Sequence, residues 1–230
     1  MTSLVGIEHT LDQLVERALA RAASGVRYIL GITGAPGSGK STVAEALVDR
    51  IGPELAVLVS MDGFHLANKV LIDLDRRGRK GAFDTYDVPG YAALLDAIRH
   101  QSSLEPVDGR TPVIYGPEFR RGIEEPIGSA VAVRPDVPLV VTEGNYLLLD
   151  KGGWPAATRH LDEVWFLAPD TDVRMSRLIS RHRQFGRSPQ EAVNWANGPD
   201  QVNAEMIEAT AADADLVVHL VEETERRQAP

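Results

Sequence analysis

The chain has 230 residues, 43% hydrophobic and 25% charged, enough for one α/β domain, or a domain with a small lid, around a sizeable core. A formal net charge of −9 supplies no general cationic surface, which argues against a nucleic-acid partner, and the absence of cysteine excludes disulfides, cysteine-ligated zinc and thiol catalysis. Met1 to His9 carries neither a basic start nor a long apolar run, so no signal peptide or membrane insertion is expected, and the expectation is a soluble cytoplasmic protein.

Leu11, Leu14, Val15, Ala18, Leu19 and Ala22 recur at helical spacing, which predicts a helix ahead of the first strand. That strand is Tyr28 to Thr33, and it runs into Gly34-Ala35-Pro36-Gly37-Ser38-Gly39-Lys40-Ser41-Thr42, which fits G-x-x-x-x-G-K-[ST] and is followed by the helical run Val43 to Val48. Strand, glycine-rich loop and helix in this order form a phosphate-binding loop. Glycines let the backbone N–H groups curl around an anion, and the helix start adds its positive end. Lys40 can reach the β- and γ-phosphates of a nucleotide, and the Ser41 hydroxyl can ligate the accompanying Mg²⁺.

A second strand, Ala56 to Ser60, leads into Asp62-Gly63-Phe64-His65 and sets Asp62 at the carboxyl edge of the sheet, where open α/β sheets bind ligands. A carboxylate there can orient an incoming hydroxyl and take its proton, and the loose transition state of phosphoryl transfer asks for orientation above all. Asp62 is the candidate base, with His65 as the alternative; Asp-Gly also reads as a plain turn that caps the next helix. Tyr91 to His100 has helical spacing. Gly and Pro punctuate Glu105 to Pro138, which reads as an irregular insertion with a short hairpin from Pro112 to Tyr115 and Ala130 to Val133.

Leu139 to Thr142 is the next strand, ending at Glu143, which can hold Mg²⁺ directly or through a water, or simply bond the turn at Gly144. Glu163 to Leu167 and Leu216 to Leu220 complete five short apolar strands without alternation, the pattern of a parallel sheet covered on both faces. Helices are expected over Asp172 to Arg183, Pro189 to Trp195 and Val202 to Ala212, and Glu222 to Pro230 reads as a frayed polar tail. Arg174, Arg177 and Arg181 share one helix face, with Arg183 and Arg187 close behind. Guanidinium groups keep their charge and chelate phosphate oxygens.

The phosphate loop, Asp62 to His65 and Glu143-Gly-Asn-Tyr-Leu-Leu-Leu149 together resemble the uridine kinase, pantothenate kinase and phosphoribulokinase group of P-loop kinases. Met61 to Leu66, Gly81 to Tyr91 and Glu143 to Leu149 look most like bacterial proteins labelled fructose transport system kinases. The resemblance implies a three-layer α/β/α P-loop NTPase sandwich with a mainly parallel five-stranded sheet, forming one domain over residues 1–230. Within it, a small helical lid is expected over about 174–190 and a substrate-side insertion over about 105–138. It implies a kinase that passes the γ-phosphate of MgATP to a hydroxyl of a small metabolite, a sugar such as fructose, or a nucleoside or pantothenate-like compound. A nucleotide-sensing partner of a sugar transporter is the non-catalytic alternative.

By the same resemblance Asp62 is the base, Glu143 and Ser41 serve the metal, Arg177 and Arg181 act at the transferring phosphate with Lys40, and Arg183 and Arg187 meet the nucleotide. His65, Phe83, Tyr86, Asp87, Tyr91, Tyr115 and Arg120 are the candidate acceptor contacts, with Lys69 and Arg121 beside them. Asn197 to Asp200 and Asn203 resemble a late motif near the adenine, although a turn and helix cap also explain them. Tyr115 is followed by Gly116, and Phe119 by Arg120, where those kinases carry an aspartate. A regulatory GTPase is disfavoured: the only Asn-Lys pair, Asn68-Lys69, continues as Val70-Leu71, not as Asn-Lys-x-Asp. A homodimer is compatible with the sequence.

Overall fold

The computed structural model describes residues 6–23 and 25–221. Among these residues sixteen α-helices and strands follow one another: β1 (Ile7–His9), α1 (Leu11–Ala22), β2 (Tyr28–Thr33), α2 (Lys40–Ile51), β3 (Ala56–Ser60), α3 (Asn68–Asp73), α4 (Val88–Arg99) and the hairpin strands β4 (Ile114–Arg120) and β5 (Glu125–Val133). The chain continues through β6 (Leu139–Glu143), α5 (Pro155–Thr158), β7 (Glu163–Leu167), α6 (Thr171–Gln184), α7 (Pro189–Asn197), α8 (Pro199–Glu208) and β8 (Leu216–Leu220).

Six strands form one sheet in the order β1-β8-β7-β2-β6-β3, every neighbouring pair parallel. The sequence expectation was five strands. The sixth, β1, is three residues long and half-exposed; its pairing with Val218 to Leu220 makes it a strand, not its own pattern. β4 and β5 form a separate antiparallel hairpin, longer than expected on both sides, with a register shift between Gly116 and Glu118. The helix expected from Val202 begins instead at Pro199, where proline suits the first turn, and ends at Glu208. The predicted tail, Glu222 to Pro230, lies outside the described residues.

Alternate residues of the buried strands serve opposite faces, which makes the molecule three-layered. On one side Leu30, Ile32, Val141 and Trp165 pack against Leu14 and Ala18 of α1 and Val43 and Leu47 of α2. On the other, Ile29, Val59, Val140 and Phe166 pack under Tyr91, Leu95 and Ile98 of α4 and Ile207 of α8. Thr10 opens α1 with a capping box closed by Gln13, a device that stabilises a helix by about 1 kcal/mol. Arg17 and Arg21 of this helix reach the buried Glu163 of β7, which also accepts hydrogen bonds from Tyr28 and Trp165. Burial pushes the Glu163 carboxyl up, but the donors from Trp165, Tyr28 and Arg17 outweigh it and hold it below its ordinary range.

Parallel pairing brings the carboxyl ends of β2, β3 and β6 to one edge, with Ser60 opposite Glu143 and Ile32 opposite Glu143 in register. The chain leaves β2 into the glycine-rich loop and β3 into a short 3-10 turn, Met61–Phe64. The hairpin folds over that turn. A Cβ on Gly63 would stand 2.5 Å from the carbonyl oxygen of Pro117, so only glycine after Asp62 allows this seating.

Candidate active site

The phosphate loop owes its shape to three glycines, Gly34, Gly37 and Gly39, all at positive φ. At Gly37, with φ of 85°, a Cβ would lie 2.6 Å from the carbonyl oxygen of Arg174, so a side chain is excluded both by conformation and by space. The Ser38 hydroxyl within this loop is buried and has no hydrogen-bond partner. Lys40 begins α2 with its side chain 9% exposed. Burial depresses its ammonium below the usual lysine range, Glu143 and Asp62 pull it back up, and the charges of Arg181 and Arg121 press it down. A buried lysine, an unpartnered buried hydroxyl and a cradle closed to any Cβ fit a bound phosphate chain.

Glu143 ends β6 almost wholly buried and receives two serine hydroxyls: Ser41 of α2 donates to Oε2 at 3.1 Å and Ser60 of β3 donates to Oε1. Burial, then the neighbouring Asp62 carboxylate, raises the Glu143 pKa, against the pull of Lys40 and both serines. Ser60 Oγ in turn accepts the backbone N–H of Asp62 at 3.1 Å, which caps the 3-10 turn and aims Asp62 off the sheet edge. A hard divalent cation beside phosphate oxygens takes oxygen ligands, and the Ser41 and Glu143 pair offers them.

Asp62 is backed by two rings. His65 donates from Nδ1 to the Asp62 carbonyl at 2.8 Å and is sandwiched between Tyr86, 4.1 Å between centroids, and Phe119 of the hairpin, 4.7 Å. Burial lowers the His65 pKa, only partly offset by Asp62. Tyr86 is buried, and its phenol is held well above its ordinary pKa by burial and then by the nearby Asp62 carboxylate. The phenol is therefore a donor at neutral pH. Two cavities open around these groups, one of about 460 Å³ and one of about 670 Å³, sharing Ser41, Asp62, Phe119 and Arg121.

Of the residues singled out in the sequence, the larger cavity brings Pro36, Lys40, Ser41, Asp62, His65, Tyr86, Arg181 and Arg187 together. Asp200 and Asn203 also line it, and the Arg187 Cζ stands over the Trp195 ring, 3.7 Å from its centroid. Five acceptor candidates are elsewhere. Tyr91 is fully buried in the core, hydrogen-bonded to Thr142 at 2.6 Å; Asp87 caps α4 by accepting the N–H of Gly90; Phe83 packs beside Gly152 beneath Lys151. Tyr115 and Arg120 are exposed on β4 and line neither cavity. Arg177 stands against the loop, its Nη1 3.5 Å from where a Gly39 Cβ would be, while Arg183 is exposed away from the cavities. Arg174 is 2% exposed and bonds Pro36 O and Gln201, so it ties α6 to the loop and to α8.

Arg121, one residue beyond Arg120, lines both cavities, as does Phe119. Arg77, Arg79 and Lys80, from the segment before Gly81, also face the larger one, as does Asn145 two residues past Glu143. Phe119 is on β4, whereas Arg121 is in the turn that follows the strand, where no period in the sequence marks which way a side chain faces. Nothing local marks Arg77 to Lys80, which reach the site only through the fold.

A parallel sheet with a glycine-rich loop, a lysine at the helix start and carboxylates at the ends of the adjoining strands defines the P-loop nucleotide-binding class. The chain belongs to the phosphoribulokinase / uridine kinase family, whose model matches residues 29–226. It is 30% identical to a "putative uridine kinase" of Schizosaccharomyces pombe over 217 residues, 90% of this chain and 89% of that one. It is 27% identical to a uridine kinase of Clostridium perfringens over 82% of this chain and 85% of that one. Among solved structures, the "putative fructose transport system kinase" from Silicibacter sp. TM1040 matches with a TM-score of 0.77 and 33% identity, covering 92% of this chain and 99% of that one. No helix among the described residues is long and apolar enough to cross a membrane.

Proposed function

We propose that this protein transfers the γ-phosphate of MgATP to a hydroxyl group of a small metabolite. One observation carries the reading: a phosphate cradle ending in Lys40 and Ser41 and an oriented carboxylate, Asp62, line the same cavity. Loop N–H groups and Lys40 bind the β- and γ-phosphates, while Arg181 from α6, with Arg177 against the loop, meets charge on the transferring group. Ser41 and Glu143 hold Mg²⁺, which when bound neutralises charge on the phosphoryl oxygens.

Asp62 orients the acceptor hydroxyl and takes its proton as the new O–P bond forms. The bond between Pγ and the bridging oxygen breaks, and its electron pair leaves with ADP. Tyr86 and His65 keep the Asp62 carboxylate and its turn in place. Residues of about 174–190, carried by α6 and α7, act as a lid that excludes water, the competing acceptor. Arg187 on Trp195 belongs to the nucleotide side; Arg183 has no assigned contact. We place the protein in the cytoplasm, in keeping with its lack of cysteine.

An ATP-consumption screen over fructose, other sugars, nucleosides, pantothenate and glycerate, with mass detection of the product, tests this directly. ADP should appear in proportion to one class of acceptor, and the product should carry one added phosphoryl group. Turnover that needs no acceptor, or that prefers GTP, contradicts the proposal.

A further inference from the structure

Arg174 is a charged group buried where the site makes no direct use of it. Its side chain is 2% exposed, deeper than Lys40 at 9%, and it lines neither cavity. Its charge is poorly balanced there. The neighbouring carboxylate of Glu208 stands 3.6 Å from Nε, and that buried nitrogen has no hydrogen-bond partner among the described residues. A buried charge with a donor left unpaired costs stability, so packing alone gives no reason for a guanidinium at this position.

What the guanidinium holds is a peptide of the phosphate loop. Nη1 donates to the carbonyl oxygen of Pro36 at 3.3 Å, and Nη2 donates to Gln201 Oε1 of α8 at 2.8 Å. The Pro36–Gly37 peptide is trans and planar, so its C=O and its N–H point to opposite sides. Pro36 lines the larger cavity and Arg174 does not, which places the grip on the carbonyl at the outer side of the loop. The Gly37 N–H is thereby turned to the inner side, and it makes no hydrogen bond among the described residues. α6 is packed against Gly37 itself: a Cβ there would stand 2.6 Å from the Arg174 carbonyl oxygen and 3.1 Å from the Leu178 Cβ. A positive group on the carbonyl also polarises the peptide and strengthens its N–H as a donor.

Resting on the kinase reading above, we propose that Arg174 is a positioning residue for the nucleotide. Through the Pro36–Gly37 peptide it aims the Gly37 N–H at the phosphate chain and strengthens that donor, without touching the nucleotide. Guanidinium and phosphate then stand on the two sides of one peptide plane. Arg174 differs in this from Arg181, which lines the cavity and meets the transferring group directly. Its loss therefore acts on the binding of phosphate-bearing nucleotides and spares the part of the site that holds base and ribose.

Arg174→Met keeps a long side chain and removes the donors. Calorimetric titration of the full chain with MgADP should show affinity lower by about 10-fold or more, the worth of one hydrogen bond from a charged group. Adenosine, followed by displacement of a fluorescent ATP analogue, should compete equally well against variant and wild type, because it carries no phosphate. Arg174→Lys, which keeps the charge and one donor, should recover part of the MgADP affinity. Gln201→Leu, which removes only the α8 partner, should stay within about 3-fold of wild type. In wild type the Gly37 amide proton, read by NMR, should move downfield on addition of MgADP and not of adenosine, a result that needs no variant to fold. A Gly37 amide that ignores MgADP, or wild-type MgADP affinity in Arg174→Met, overturns the proposal. Equal losses of adenosine and MgADP, or an equal loss of MgADP in Gln201→Leu, overturn it too, because the effect is then on the fold or on α8. Arg174-dependent MgADP binding with no phosphoryl transfer to any acceptor leaves this inference standing and removes the kinase reading. Acceptor-dependent transfer by an Arg174→Met variant of unchanged MgADP affinity does the reverse.

Discussion

Ser60 donates its hydroxyl proton to Glu143 Oε1 and with the same oxygen accepts the backbone N–H of Asp62. One side chain thus fixes both the Glu143 carboxylate and the turn that carries Asp62. Ser41 holds the other oxygen of Glu143 from the start of α2, so three chain segments meet on one buried carboxylate.

Ser60→Ala should therefore weaken two functions at once. It strips a donor from buried Glu143 and leaves the Asp62 N–H without its acceptor, at a cost of about 1–3 kcal/mol. The Mg²⁺ concentration for half-maximal activity should rise and kcat should fall about 10-fold, read from a metal titration of the rate. An unchanged titration would separate Ser60 from the site.

Tyr86→Phe keeps the ring against His65 and removes only the phenol that faces Asp62. The expected result is a kcat lower by about 10-fold with the KM for ATP unchanged, since a phenol dipole beside the Asp62 carboxylate is lost while the phosphate loop is untouched. A rise in the ATP KM instead would move Tyr86 to the nucleotide side.

Gly37→Ala meets both a φ of 85° and the Arg174 carbonyl at 2.6 Å. Strain of about 1–3 kcal/mol would fall on the loop that binds phosphate, so affinity for MgATP should drop by 10-fold or more. Calorimetric titration with nucleotide measures it; wild-type affinity would show that the loop can relax.

Glu163 gives a prediction far from the site. Its carboxyl is held below the ordinary value of 4.5, so its contribution to stability is complete above that pH and is lost as pH falls through the depressed value. The Tm difference between wild type and Glu163→Gln should be largest above pH 4.5 and should close below it. A difference independent of pH would mean that the carboxylate charge contributes nothing to docking α1.

The parallel core was legible in the sequence because strands covered on both faces are unbroken apolar runs, and β2, β3, β7 and β8 fall where those runs fall. β1 was not, since Ile7 to His9 has no pattern of its own and is a strand only beside β8. A short hairpin was expected from Pro112 to Tyr115 and Ala130 to Val133, but Gly116, Pro117, Pro126 and Gly128 made the rest of it look like loop, and its full length is fixed by cross-strand pairing that no local signal announces. The phosphate loop is contiguous, so its residues could be picked out from the motif. The rest of the cavity comes from distant segments, so proximity in sequence misled: Tyr91 follows Tyr86 closely but points into the core from α4, and Arg120 was preferred to Arg121 although only the latter lines the cavities.

The most direct test of the account is Asp62→Asn beside wild type, measuring MgATP affinity and acceptor-dependent ADP release in the same preparation. The account predicts nucleotide affinity within a few-fold of wild type and turnover lower by about 10²- to 10⁴-fold, the range for loss of a general base. Turnover at the wild-type rate in Asp62→Asn would contradict it.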